Sequence, residues 1–143
     1  MSTNDDHDDD ELDELKRSFI ASDSLEKEDL KEALKVLREW GWVDNLGYVK
    51  ITRKMKNLQQ EVKFILCSRL VGNRLEQGIK SDVSVKELCD NTGRQKQVII
   101  NTLNDLKKEH SIIYENGLAK ISDTSTIMRF VKELSEQTGE KNE

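Results

Sequence analysis

The apolar residues of this chain recur at two spacings, and the switches between them mark out its elements. Leu12, Leu15 and Phe19 fall on one helical face until Ala21-Ser22-Asp23-Ser24 breaks the pattern. Leu30, Leu34 and Leu37 resume it and predict a helix running to about Trp40, ended by Gly41. Trp42-Val43 and Tyr48-Val49-Lys50-Ile51 then flank the turn-forming tetrad Asp44-Asn45-Leu46-Gly47, which is a hairpin signal. From Asn57 to about Asn73, the row Leu58, Val62, Ile65, Leu66, Arg69 and Leu70 predicts a long helix, with Gly72 and Gly78 at its frayed end.

A short extended link at Asp82-Val83 leads into Ser84-Val85-Lys86-Glu87, a capping box in which a serine hydroxyl and a glutamate carboxylate satisfy orphan backbone donors. It opens a short helix through Leu88-Cys89, turned at Asn91-Thr92-Gly93. Thr92 and Gln95 predict a second box, starting a helix with the buried stripe Ile99, Leu103 and Leu106 and an end near Glu109. Ile112-Ile113 and Leu118-Ala119-Lys120-Ile121 flank Tyr114-Glu115-Asn116-Gly117, a second hairpin. Asp123 or Thr124 caps a last helix with Ile127, Phe130, Val131 and Leu134 on one face, fraying after Gln137.

Helix followed by hairpin thus occurs twice. A shift of 69 positions carries Leu30, Leu34, Leu37, Gly41 and Val43 onto Ile99, Leu103, Leu106, His110 and Ile112, and a shift of 70 carries Lys50-Ile51-Thr52 onto Lys120-Ile121-Ser122. The class expected is mainly α with short β-hairpins, an α+β fold. Its organisation reads as an acidic disordered arm at 1–10, a degenerate N-terminal module at 11–54, a helix-turn-helix and hairpin unit at 55–122, an amphipathic helix at 123–137 and a disordered tail at 138–143.

Composition adjusts this picture in one respect. The net charge of −5 argues against nucleic acid as a partner, but eight of the acids fall within residues 1–15 with no Lys or Arg among them. The remaining 23 bases face 20 acids, and within residues 50–108 thirteen Lys and Arg face six Asp and Glu. The middle of the chain is basic and the acidity is largely a tail. Proline is absent, aromatics are 5%, and Cys67 and Cys89 sit in apolar contexts, so reduced core thiols are expected rather than disulfides. With no leader-like start and no apolar run long enough for a bilayer, the expected compartment is the cytoplasm, without membrane.

From Asn57 to Ser122 the order is helix, extended link, helix, turn, helix, hairpin. This resembles the winged helix-turn-helix domains of MarR-like and ArsR-like prokaryotic DNA-binding regulators. The matching pieces are Ser84-Val85-Lys86-Glu87-Leu88, Asn91-Thr92-Gly93, and the spacing of Ile99, Leu103, Leu106 and Ile112, with His110 where a glycine is usual. The resemblance implies double-stranded DNA as ligand, the helix 93–109 in the major groove, and a homodimer that regulates transcription. The preceding helix and hairpin then read as a degenerate second winged-helix copy.

Opposite the stripe of Ile99, Leu103 and Leu106 lie Arg94, Gln97, Asn101, Asn104 and Lys108, side chains suited to base edges and phosphates, with Lys96 beside them and Lys120 as the one base of the wing. The equivalent row in the first copy is Leu25, Glu28, Glu32, Lys35 and Glu39, whose carboxylates repel phosphate. The N-terminal half is therefore a candidate for dimerisation or for a protein partner. Leu12, Leu15 and Phe19, together with Ile127, Phe130, Val131 and Leu134, are the candidate interface. The run Arg53, Lys54, Lys56 reads as a solvated segment within reach of phosphates, and Trp40 and Trp42 as core or edge anchors.

No phosphate loop, nucleophile motif or metal-ligand spacing accompanies His7 and His110, so neither an enzyme, a cofactor nor a metal is expected. The competing reading is a tandem winged-helix interaction module, similar to the acidic two-winged-helix subunits of condensin-like or membrane-remodelling complexes. A groove-facing row of Arg, Gln, Asn, Asn and Lys argues against it, since a partner-binding face favours apolar residues.

Overall fold

The computed structural model describes residues 11–12, 26–76 and 78–141. Across them run α1 (Lys27–Leu37), β1 (Gly41–Val43), β2 (Val49–Ile51), α2 (Leu58–Leu75), β3 (Val83–Ser84), α3 (Val85–Thr92), α4 (Lys96–Lys108), β4 (Ile112–Glu115), β5 (Leu118–Ile121) and α5 (Thr124–Lys141). This is an α+β fold in which helices dominate and the strands form two small antiparallel sheets. The acidic arm, Leu15, Phe19 and the break at Ser22-Asp23-Ser24 lie outside the described residues.

The centre of the molecule is α2. Val62, Phe64, Ile65, Leu66, Cys67 and Val71 are all buried and point to more than one side of the helix, so α2 is covered on several sides rather than amphipathic. The first hairpin, β5, α1, α3, α4 and α5 all pack on it. The buried hydrophobics from Ala33 to Leu134 form one cluster, shared by the chain on either side of residues 54 and 55. The two helix-and-hairpin units are therefore joined through α2, and neither has a separate core.

Several ends differ from the periodicity. The first helix stops at Leu37, not Trp40, because Trp40 turns inward and is fully buried. Gly41 does not end that helix; it opens β1, where an added Cβ would collide with the carbonyl of Lys50 on the paired strand. Gly72 is interior to α2 and buried, tucked against Val43 and Ile79, so no fraying begins there. Asn57 caps α2 by accepting from the Gln60 amide at 2.9 Å. At the other end of the chain α5 continues to Lys141, past the fraying point expected at Gln137, and Asp123 rather than Thr124 provides its cap by accepting from the Thr126 amide at 2.9 Å.

The capping boxes resolve differently from each other. Ser84 Oγ accepts from the Glu87 amide at 3.1 Å as expected, but the Glu87 carboxylate turns away to Arg69 at 2.7 Å, so only half of the box is made. The second box does not form. Thr92 is the last residue of α3, its hydroxyl donating to Leu88 O at 2.7 Å, and α4 starts at Lys96, with Gln95 before it supplying no side-chain cap.

The three-stranded sheet has the order β3-β5-β4, with Val83 opposite Ala119 and Ile112 opposite Ile121. The hairpin turn is Asn116-Gly117, both at positive φ (55° and 75°), so β4 extends through Tyr114 and Glu115, which the sequence pattern placed in the turn. Before β4, His110 adopts φ 62°, the Ser111 amide reaches back to Leu106 O and the His110 amide to Lys107 O. That pair of bonds ends α4 in a left-handed residue, the position where a glycine would be free of strain.

Candidate functional site

Periodicity within α4 fixes which side chains it offers to solvent. Ile99, Leu103 and Leu106 are fully buried, and Thr102 beside them donates its hydroxyl back to Val98 O at 2.9 Å. Arg94, just before the helix, and Lys96, Gln97, Asn101, Asn104 and Lys108 on it are all exposed. Gln97 Nε2 donates to Asn101 Oδ1 at 2.9 Å, so two of the amides on this row already orient one another. Lys120 is exposed on β5, opposite Ile113, and belongs to the β4–β5 hairpin rather than to the helix row.

Two neighbours change the face from the one expected. Asp105, four residues after Asn101, is exposed on the same side, so the row contains an acid that the sequence reading omitted. Val98 is 40% exposed beside it.

A second feature lies where α4 begins. An open groove of about 620 Å³ runs between β2 with its following link and the α3–α4 turn. Lys50, Lys54, Lys56 and Arg94 line it, with Glu61 as its acid. The link places these bases by alternation: Met55 is buried as an anchor, so Lys54 and Lys56 on either side of it face outward. Arg53 is spent elsewhere, its guanidinium 5.3 Å from the centroid of the Trp40 ring and 3.4 Å from Thr138 Oγ1. The run Arg53–Lys56 was visible in the sequence, but its convergence with Lys50 and Arg94 depends on how the first hairpin is docked.

That docking rests on two side chains. Asn91 accepts from the Val49 amide at 3.2 Å and donates to the Val49 carbonyl at 2.7 Å, treating the free edge of β2 as a neighbouring strand would. Arg69, buried in α2, donates to Lys80 O at 2.7 Å, to Gly47 O at 3.2 Å and to Asp82 O at 3.1 Å, and pairs with Glu87 at 2.7 Å. The tip of the first hairpin, the link to β3 and the first turn of α3 are thereby held by one guanidinium. By periodicity Arg69 falls in an apolar row and Asn91 in a turn; the sequence signal for Arg69 is a charge in the middle of a buried stripe.

The residues expected at an interface on the last helix are interior. Ile127, Phe130, Val131 and Leu134 are at most 2% exposed, because α5 packs this face on α1, α2 and β5. The stripe is used inside the chain and is not offered to a partner, a correction to the sequence expectation. A polar seam supports the packing, with Gln60 Nε2 donating to Glu133 and to Gln137, both at 2.8 Å. Of the other interface candidates, Leu12 is 49% exposed, and Leu15 and Phe19 lie outside the described residues.

Neither thiol is paired. Cys67 is completely buried, and burial pushes its pKa far above the ordinary thiol range, keeping it protonated and a poor nucleophile. Among the described residues no three His, Cys, Asp or Glu are grouped as metal ligands, and no helix is long and apolar enough to cross a membrane. Comparison with known proteins finds no match to this chain, whether among family models, curated proteins or solved structures.

Proposed function

We propose that this chain is a winged-helix protein that binds double-stranded DNA with α4 in the major groove, acting as a binding protein rather than an enzyme. The observation that carries the reading is the exposed row Arg94, Gln97, Asn101, Asn104 and Lys108 set against a fully buried stripe on the same helix. Arginine suits guanine, the amides suit adenine, and lysine suits phosphate. The order α2, β3, α3, α4, β4, β5, with β5 between β3 and β4, supports a winged-helix topology. Asp105 is compatible with this only if it faces bases, where a carboxylate can accept from the cytosine amino group; against phosphate it is unfavourable. Pairing of two copies on a two-fold site remains part of the proposal, through a surface other than the α5 stripe.

A specific observation favours a second reading. Trp42 (59% exposed), Leu46 (93%) and Tyr48 (50%) gather on the first hairpin, an apolar surface suited to a protein partner through the N-terminal half.

Equilibrium binding to duplex DNA, with salt varied, separates the two. On a preferred site Arg94→Ala and Asn101→Ala each cost about 1–3 kcal/mol and relax specificity, while Lys108→Ala weakens all sequences alike and lowers the salt slope by roughly one. Glu28→Ala and Glu32→Ala leave binding unchanged. Absence of duplex binding at low salt, or loss of binding in the glutamate variants alone, overturns the assignment.

A further inference from the structure

From the groove between the first hairpin and the start of α4, we infer that the N-terminal half forms part of the nucleic-acid interface, with Lys50, Lys54 and Lys56 receiving the phosphate backbone beside the stretch read by α4. The inference rests on the DNA reading above and adds to it a second, sequence-independent contact surface.

The first helix-and-hairpin unit, judged by its exposed Glu28, Glu32 and Glu39, repels phosphate. Glu28 and Glu32 lie on α1 and Glu39 in the turn after it, whereas the groove is built from β2, the link after it and the α3–α4 turn. The acidic and basic features of this half thus occupy different elements. Lys50, Lys54, Lys56 and Arg94 make no ion pair among the described residues, and with Glu61 as the acid facing them a strand of phosphates entering the groove meets an excess of positive charge.

Placement favours a polyanion over a small one. The groove is open, holds about 620 Å³, and has in its lining Arg94, which begins the α4 row. The α4 N-terminus, where Gln95 supplies no side-chain cap, adds its partial positive charge beside that end. A backbone passing the start of α4 at Arg94 therefore continues among Lys50, Lys54 and Lys56, with Glu61 as the acid of the groove. The geometry is also held firm, because Asn91 lines the groove while bonding both backbone groups of Val49.

The test uses the full chain and a labelled random-sequence duplex of about 30 base pairs, titrated between about 50 and 200 mM salt. The double variant Lys54→Ala/Lys56→Ala is compared with the parent, with Asn101→Ala, and with Lys31→Ala/Lys35→Ala, which removes equal charge from the exposed face of α1. All four substituted lysines are exposed, and thermal melting checks that each variant folds as the parent does. The expected result is a salt slope shallower by about two and roughly tenfold weaker binding for the groove variant, with the α1 variant close to the parent. Equal effects in the two lysine pairs would show only net charge at work and overturn the inference, as would a groove variant that binds the random duplex like the parent. A parent chain that binds no duplex at low salt removes the DNA reading itself, and this inference with it.

Discussion

Asn91 closes both hydrogen bonds of its side-chain amide on one residue, Val49, whose N–H and C=O face the open edge of β2. A side chain thus stands in for a third strand and ties the helix-turn-helix region to the hairpin before α2. Both bonds are partly buried, so removing them exposes two backbone groups to incomplete solvation. Asn91→Ala is expected to lower unfolding stability by about 2 kcal/mol in denaturant titration. Asn91→Asp, which keeps the acceptor and loses the donor, leaves the Val49 carbonyl without its partner and is also destabilising; stability equal to the parent in both variants would show that the hairpin is held by other contacts.

Arg69 is the corresponding fixture at the tip of that hairpin. Arg69→Ala strips partners from three carbonyls and from Glu87, and a loss of about 3 kcal/mol or more is expected. Glu87→Gln is expected to cost no more than about 1 kcal/mol, because that carboxylate is half exposed and solvent screens the pair. The two variants measured side by side by urea unfolding distinguish a carbonyl-binding hub from a simple ion pair.

His110 ends α4 at positive φ, where a Cβ is strained. Its side chain is exposed, so little packing is lost by removing it. His110→Gly is expected to raise stability by about 1 kcal/mol and the melting temperature by a few degrees. A lower melting temperature would indicate that the imidazole makes a contact worth more than the strain.

Asp123 caps α5, and hydrogen bonds to its carboxylate, first from Ser125 Oγ and then from the Thr126 amide and hydroxyl, outweigh partial burial and hold its pKa below the ordinary value of 3.8. A carboxyl whose pKa is lowered on folding binds its proton more readily when unfolded, so its contribution is complete above 3.8 and is lost as pH falls through the lower folded value. At neutral pH Asp123→Ala is expected to cost about 1 kcal/mol. The gap between parent and variant should narrow in acid; a gap independent of pH would assign the effect to the backbone alone.

The sequence by itself determined the local layers of this protein. The 3.6-residue stripes of Ile99, Leu103 and Leu106 and of Ile127, Phe130, Val131 and Leu134 specify helices whichever partner covers them, and Asn116-Gly117 marks a hairpin turn, although pattern alone drew Tyr114 and Glu115 into that turn when they pair in β4. The exposed row on α4 was legible for the same reason, since the solvent face of a helix is fixed once its buried face is known. Tertiary structure decided what covers what. An apolar stripe is equally satisfied by a second copy or by its own chain, and only the packing of α5 on α1 and α2 shows that Phe130 and Leu134 are spent internally. It also decided the basic groove, because Lys50 and Arg94 are forty-four positions apart and meet only after Asn91 and Arg69 dock the first hairpin. Such contacts depend on the geometry of the whole assembled chain, and periodicity carries no information about which distant residues that geometry brings together.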